Sequence, residues 1–345
     1  MAQAAARTIR LGTADVPFPS PFLSQIPDSA PLLADPPALR AAFNRDGFVY
    51  LRGALGAASV LAARAAVAEH LAAKGDVLQP GSDSVLLEAC GLGCLPMLEG
   101  ANAVTADARV AGVLEGAPLR AAVGALLGES PEALRTFDYK WLRAMPRALF
   151  TGAHVDAVYM ARGSPRLLTC WIPMEPAATL ELGALALYRG SHAAPGGLQR
   201  LRETYGLLDT EAEPGYEGSG WYTEDPHDVA RLDTAGAGGW VSGDYAAGDV
   251  VIFGMHTLHM STANLTNNVR VSCDVRWQPA SDAIDERYTG SAEELREKQA
   301  QRKRGGAWVA AGAGAGAGAD GSGSAAAAQP APTVTMQGLR ARWGL

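Results

Sequence analysis

A mainly β fold with flanking helices, a sandwich or jelly roll, is what the sequence predicts, and three observations predict it. Residues 135–279 hold a series of short runs with a period of two, rich in β-branched and aromatic residues. Gly, Pro and Asn signals separate these runs, and many short strands in series suit a double-sheet architecture. Residues 36–134, by contrast, carry mostly helical patterning. The length of 345 residues suggests about two domains on average, but double-sheet and barrel folds often take that many residues in one unit.

Element by element, residues 1–35 read as an N-terminal extension. The stretch "PPALRAAFNRDGFVYLRGALGAASVLAARAAVAEHLAAKG" then predicts a short helix, a tight "RDG" turn, the strand "FVYLRG", and a helix capped by Ser59 and stopped by Gly75. Helical patterning continues to "PLRAAVGALLG", ending on Gly128. The predicted strands follow in "TFDYKWLRAM", "SPRLLTCWIPM", "GALALYRGS", "GDVVIFGMHTLH" and "VRVSCDVRWQP". Residues 193–248 are glycine-rich, contain Trp221, Tyr222 and Trp240, and are too long for a plain loop, so they read as a lid-like insert. Ser291-Ala292-Glu293-Glu294 is a capping box that opens a helix over 291–304. Residues 305–332 are an Ala/Gly-rich flexible linker, and 333–345 are patterned again as a docking segment.

Composition narrows the function. Apolar residues make up 48% and charged residues 19%, which suits a chain with a sizeable core. A formal net charge of −7 argues against tracking nucleic acid or an anionic membrane, so a small-molecule partner is expected; oligomeric state is left open. The expected location is the cytoplasm, although Arg7 and Arg10 in an acid-poor start also fit an organellar leader. Cys90 and Cys94 in "CGLGC" have no second pair at zinc-ribbon spacing and read as buried thiols, as do Cys170 and Cys273.

Chemistry concentrates in two places. In "TGAHVDAVYM", His154 and Asp156 lie two apart in a chain with only six histidines. On a strand they would point the same way, about 7 Å apart, and could grip one ion, with Val155 turned to the core. In "GDVVIFGMHTLH", His256 and His259 are three apart, so at most one is a ligand. Two histidines and one carboxylate would leave open positions on one face of an octahedral ion, the arrangement of non-haem iron oxygenases. In "VRVSCDVRW", Arg270, Ser272, Asp274 and Arg276 share one face and Val271, Cys273 and Val275 the other. An inward arginine suits a buried dicarboxylate, and Arg270 and Arg276, about 20 Å apart along an extended strand, cannot both serve it.

"FNRDGFVYLRGAL", "HVD", "GALALYRGSH" and the set His259, Ser261, Asn264 and Arg270, taken in that order, resemble the phytanoyl-CoA dioxygenase family of Fe(II)- and 2-oxoglutarate-dependent oxygenases over most of the chain. The resemblance selects His259 over His256 and Arg270 over Arg276. It implies a cupin-like double-stranded β-helix with iron on His154, Asp156 and His259, and with 2-oxoglutarate paired to Arg270 and helped by Ser261 and Trp171. It further implies a hydroxylase that consumes O2 and converts 2-oxoglutarate to succinate. Aspartate at 156 argues against halogenation, since related halogenases carry a small residue there. His192 in "RGSH" reads as a feature of the family fold.

Other polar residues have weaker claims. Thr169 and Tyr159 are candidates for contact with the oxo acid, and Lys140 and Arg143, which cannot both point inward, for contact with oxo acid or substrate. Trp221 and Tyr222 are candidate substrate contacts from the insert. Arg147, Arg162 and Arg166 would flank the mouth in sequence. Two other readings stand beside the hydroxylase: an O2-independent cupin-like metal isomerase or hydrolase, and a non-catalytic small-molecule-binding relative.

Overall fold

The strand Arg270–Pro279 is buried along its whole length, and its two faces lay out the architecture. Val271, Cys273, Val275 and Trp277 pack against a layer of helices. Arg270, Asp274 and Arg276 face the opposite way, into a cavity shared with Leu185 and Met260 of a second sheet. A computed structural model of the chain describes residues 7–73, 104–236, 238–304 and 333–345.

The main sheet is antiparallel, in the order Phe48–Leu51, Val250–Gly254, Leu168–Pro173, Arg270–Pro279, Leu134–Thr136, with Trp141–Met145 also paired to Arg270–Pro279. Opposite it lies His259–Ser261, Leu185–Tyr188, Trp240–Ser242 and Leu23–Gln25, the last pair parallel. From Leu168 to Pro279 the chain passes back and forth between the two sheets, which is a jelly roll whose sheets are not closed into one barrel. Alternation on each strand divides the apolar residues between two cores. Phe48, Tyr50, Trp171, Val251 and Phe253 fill the space between the sheets. Val49, Leu51, Cys170, Ile172, Val250 and Ile252 meet the helices.

That helical layer comes from the first third of the chain. Helix Pro36–Asp46 is capped by Asp35, whose carboxylate accepts from the Ala38 amide, and it ends on Gly47 at φ 86°. A Cβ at Gly47 would stand 2.5 Å from His192 Nδ1, so the "RDG" turn needs glycine for room as well as for its left-handed backbone. The next helix, Ala57–Ala73, starts earlier than expected: the Val60 amide already bonds the Gly56 carbonyl, which leaves Ser59 inside the first turn instead of capping it. Gly75 and the "CGLGC" pair lie outside the described residues. Helices Ala108–Leu114 and Ala117–Leu127 break at Glu115–Gly116, and their apolar faces cover the main sheet.

Two boundaries differ from the sequence reading. Residues read as an N-terminal extension build part of the fold: Arg7–Leu11 and Ala14–Phe18 form a hairpin, and Ile9, Leu11, Val16, Phe18 and Leu23 enter the core between the sheets. The insert stands off the sheets only before residue 240, with helices Gly197–Glu203 and Pro226–Leu232. Trp240–Ser242 is an interior strand of the second sheet with Trp240 fully buried, and its short length among glycines hides it from periodicity. In helix Ala292–Arg304, Ser291 and Glu294 exchange the two hydrogen bonds of a capping box. The linker 305–332 lies outside the described residues, while helix Met336–Trp343 buries Leu339 against the body.

Ile172, fully buried between the main sheet and the helices, tests this layering. Ile172→Ala should lower the unfolding free energy by about 2–5 kcal/mol. The denaturant midpoint should fall with the slope unchanged; a loss under about 1 kcal/mol would mean the helical layer is not packed as described.

Candidate metal centre

His154 and His259 meet as an isolated antiparallel bridge. The His154 amide bonds the His259 carbonyl at 2.9 Å and the His259 amide bonds the His154 carbonyl at 3.0 Å. This pair brings the two imidazoles together, with ring centroids 4.1 Å apart and the planes tilted by 54°. Asp156 arrives differently from the strand geometry expected of it. Its backbone is helical, φ −65° and ψ −22°, and it opens the short helix Ala157–Met160, so the turn swings its carboxylate back toward the two rings. Asp156 Oδ1 lies 3.7 Å from Nε2 of each histidine, and Val155 is packed in the core. The three ligand atoms fall within 4.8 Å of one another, all buried.

Each ring is oriented by the backbone. His154 Nδ1 is 2.8 Å from the Gly152 carbonyl, and His259 Nδ1 is 3.0 Å from the Thr257 carbonyl. A carbonyl can only accept, so Nδ1 carries the proton and the lone pair of Nε2 faces Asp156. Burial, with the neighbouring His259 charge, pushes the His154 imidazole down to about 3, and burial also lowers His259. Burial works against charge on Asp156, but the Arg276 guanidinium and the Thr169 hydroxyl favour the ionised form, and the carboxyl is held well below the ordinary range. Two neutral imidazoles and one ionised carboxylate are the donor set that Fe(II) takes in a facial triad.

The outer oxygen of Asp156 is held by residues whose role differs from the sequence reading. Thr169 donates its hydroxyl to Oδ2, and Arg276 Nη2 donates to the same atom at 3.1 Å. Thr169 therefore serves the carboxylate ligand and is not among the residues lining the cavity. Arg276, set aside in the sequence as a rival to Arg270, also lies over the Trp141 ring at 4.0 Å and lines the cavity. The alternation of "VRVSCDVRW" already turned Arg276 inward; its partner 120 residues away was the missing piece.

Arg270, Ser261 and Trp171 line the same cavity as the three ligands. Arg270 donates Nη1 to the Gly183 carbonyl at 2.6 Å and sits 5.8 Å from the Trp171 ring centroid. Its Nε is buried with no hydrogen-bond partner, and among the described residues it pairs with no carboxylate. Burial, with the Arg143 charge nearby, lowers it to about 10. Ser261 accepts the Thr151 amide at 2.8 Å. Arg143 is the member of the Lys140–Arg143 pair that faces the cavity, with Nε bonded to Asp274 Oδ2 at 2.7 Å.

The remaining candidates lie elsewhere. Lys140 is buried on the other side, paired with Glu115 at 3.0 Å. Tyr159 turns its edge to the His154 ring and donates its hydroxyl to the Ser219 carbonyl at 2.7 Å, outside the cavity lining. Trp221 covers Gly152 beside Phe150, and Tyr222 lies beneath the Arg340 guanidinium at 4.4 Å; both line a separate pocket against the C-terminal helix. Arg147 bonds Asn267, Arg162 pairs with Asp209, and Arg166 with Glu129 and Asp282. His256 is half-buried and is not part of the ligand cluster.

The family model for phytanoyl-CoA dioxygenase (PhyH) matches residues 43–272, which include all three candidate ligands and Arg270. The chain belongs to the PhyH family. Iron and 2-oxoglutarate are accordingly its cofactors, and it is an iron- and 2-oxoglutarate-dependent enzyme. No curated protein matches the chain. Among solved structures it is similar to the epimerase SnoN in complex with Fe3+, alpha ketoglutarate and nogalamycin RO, at 22% identity and TM-score 0.49 over 76% of this chain and 89% of that one. The carbocyclase SnoK from nogalamycin biosynthesis matches at 19% and 0.49 over 75% and 88%. EctD from S. alaskensis with 2-oxoglutarate and 5-hydroxyectoine matches at 18% and 0.48 over 84% and 89%.

Two outcomes test this PhyH centre. Thr169→Val removes the hydroxyl that steadies Asp156 and should weaken Fe(II) affinity about 10–100-fold, read by competition with a chelating dye; unchanged affinity would contradict the contact. In metal-free protein, unfolded histidine takes up a proton below about 6.5, whereas folded His154 stays neutral to about 3. The unfolded state then binds more protons, so stability should fall as pH drops below about 6.5. Urea titrations should show that fall, shallower in His154→Gln, and a flat wild-type profile would exclude a neutral buried His154.

Proposed function

We propose that this PhyH protein is a dioxygenase that hydroxylates a small organic molecule and couples that step to conversion of 2-oxoglutarate to succinate and CO2. The observation that carries the reading is Arg270, a fully buried guanidinium with an unpartnered Nε in the same cavity as the triad. A buried cation without a counter-charge is costly, and the far carboxylate of a dicarboxylic co-substrate would supply that charge. A metal isomerase, a hydrolase or a simple binding protein has no oxo acid to place there, and Arg270 would stay uncompensated.

When bound, iron with 2-oxoglutarate activates O2, so that one oxygen atom ends in succinate and the other in the substrate. The chain's own residues prepare that chemistry. His154, Asp156 and His259 would hold the metal from one side, each imidazole locked by its backbone carbonyl. Thr169 and Arg276 occupy Oδ2 of Asp156, which leaves Oδ1, the oxygen facing both imidazoles, as the one that would hold the metal. Arg270 would grip the far carboxylate against Trp171, with Ser261 beside it. Asp156 itself supports hydroxylation over halogenation, because its carboxylate fills the position a halide would need. Sequestration of all these groups from bulk water strengthens each charged contact.

The reading is tested by anaerobic titration of Fe(II)-loaded protein with 2-oxoglutarate, following the weak visible charge-transfer band of a chelated oxo acid. Wild type should develop the band with saturation. Arg270→Ala should raise the 2-oxoglutarate midpoint about tenfold or more while retaining iron, whereas His154→Ala should lose iron first. A band that never forms, or equal iron loss in both variants, would turn the reading toward the O2-independent or binding-only alternatives.

A further inference from the structure

The cavity holds more positive charge than the metal and 2-oxoglutarate can use. Three guanidiniums line it, from Arg143, Arg270 and Arg276, against two carboxylates, Asp156 and Asp274. Each metal-facing imidazole turns Nδ1 to a backbone carbonyl and leaves the lone pair of Nε2 for the metal, so neither adds a charge in the loaded site. With a divalent metal and a doubly charged oxo acid in place, one positive charge stays unmatched.

The geometry locates that charge. Arg276 is committed to Asp156 at 3.1 Å and lies 3.8 Å from Asp274. Arg270 is the partner that the oxo acid requires. Asp274 is thus shared between Arg276 and Arg143, and it engages Arg143 only through Nε, at 2.7 Å. Among the described residues the two terminal nitrogens of Arg143 make no hydrogen bond, and unlike Nε of Arg270 and Arg276 they are not sealed from water. The Arg143 side chain keeps 18% exposure, while that of Arg276 keeps 3%. Arg143 therefore offers a two-pronged donor to whatever enters the cavity. Asp274 behind it, the Trp141–Met145 strand beneath it and the register Arg143↔Ser272 fix where that fork stands. A planar fork with two free N–H groups matches a carboxylate by two parallel hydrogen bonds.

We infer that the substrate of this enzyme carries a carboxylate, and that Arg143 is the residue that recognises it. The inference rests on the dioxygenase reading for the placement of 2-oxoglutarate on Arg270. It assigns Arg143 to the substrate and not to the oxo acid, and it makes the Arg143–Asp274 pair a specificity element at the open side of the cavity.

The experiment uses the full chain loaded with Fe(II) and saturating 2-oxoglutarate, without oxygen, in a buffer free of carboxylates. Calorimetric titration compares benzoate with benzamide and hexanoate with hexanamide. Binding of a carboxylate with no detectable binding of its amide is expected, and Arg143→Gln, which keeps an N–H donor for Asp274, should weaken that binding about tenfold or more. The 2-oxoglutarate midpoint from the charge-transfer band should stay within about twofold in Arg143→Gln, since Arg270 is untouched. Arg143→Lys, retaining charge without the fork, should fall between the two. Equal binding of acid and amide, no binding of either acid, unchanged affinity in Arg143→Gln, or a 2-oxoglutarate midpoint raised as in Arg270→Ala would each overturn the inference. Failure of the dioxygenase reading is separate: the wild-type band would be missing, whereas the acid-against-amide comparison on Fe(II)-protein would still decide the role of Arg143.

Discussion

The paired main-chain hydrogen bonds between His154 and His259 are the constraint on which the site depends. They join a segment outside the regular strands to the edge of the second sheet, and they set two imidazoles in contact before any metal enters. Once those rings are placed, Asp156 needs only a helical turn to bring one oxygen to both. The cost of burying its charge is met by Arg276, Thr169 and the metal site itself, and not by solvent. The second sheet matters because it fixes His259; the main sheet matters because it supplies Thr169, Arg270 and Arg276 from its inner face.

That inner face is unusual for a core. On Arg270–Pro279 the polar residues are as buried as the apolar ones on the other side. Such a face is stable only if its charges compensate each other or a ligand. Asp274 compensates Arg143 and Arg276 in part, Asp156 compensates Arg276, and Arg270 is left to a ligand. The polar cluster is therefore a negative of the molecules the cavity takes. The helical layer behind the sheet makes this tolerable, because it buries the opposite faces of the same strands in an apolar core and holds their register.

Much of this was legible in the sequence. Period-two runs marked Leu168–Pro173, Val250–Gly254 and Arg270–Pro279 as strands, and the alternation of "VRVSCDVRW" told which side of the last one was polar. The triplet "HVD" and the later histidines marked the candidate ligands. Less legible were the parts whose order is set by neighbours. Trp240–Ser242 is too short for periodicity to reveal, and the N-terminal hairpin has no local signal that it will enter the core. The helix start at Ala57 followed the Gly56 backbone instead of the Ser59 side chain.

By itself the sequence determined the kind of fold, the three residue types that can grip an ion and the arginine face beside them, because periodicity and residue chemistry are local properties. Only the tertiary structure decided who partners whom. Thr169 turned out to hold Asp156, Lys140 to pair with Glu115 in the other layer, Tyr222 to lie beneath Arg340, and Arg276 to share the carboxylate of Asp156 with the metal site. Each of these contacts joins segments that the chain brings together only after the sheets have formed. A pattern along one strand reports which way a side chain points, and says nothing of what it meets there.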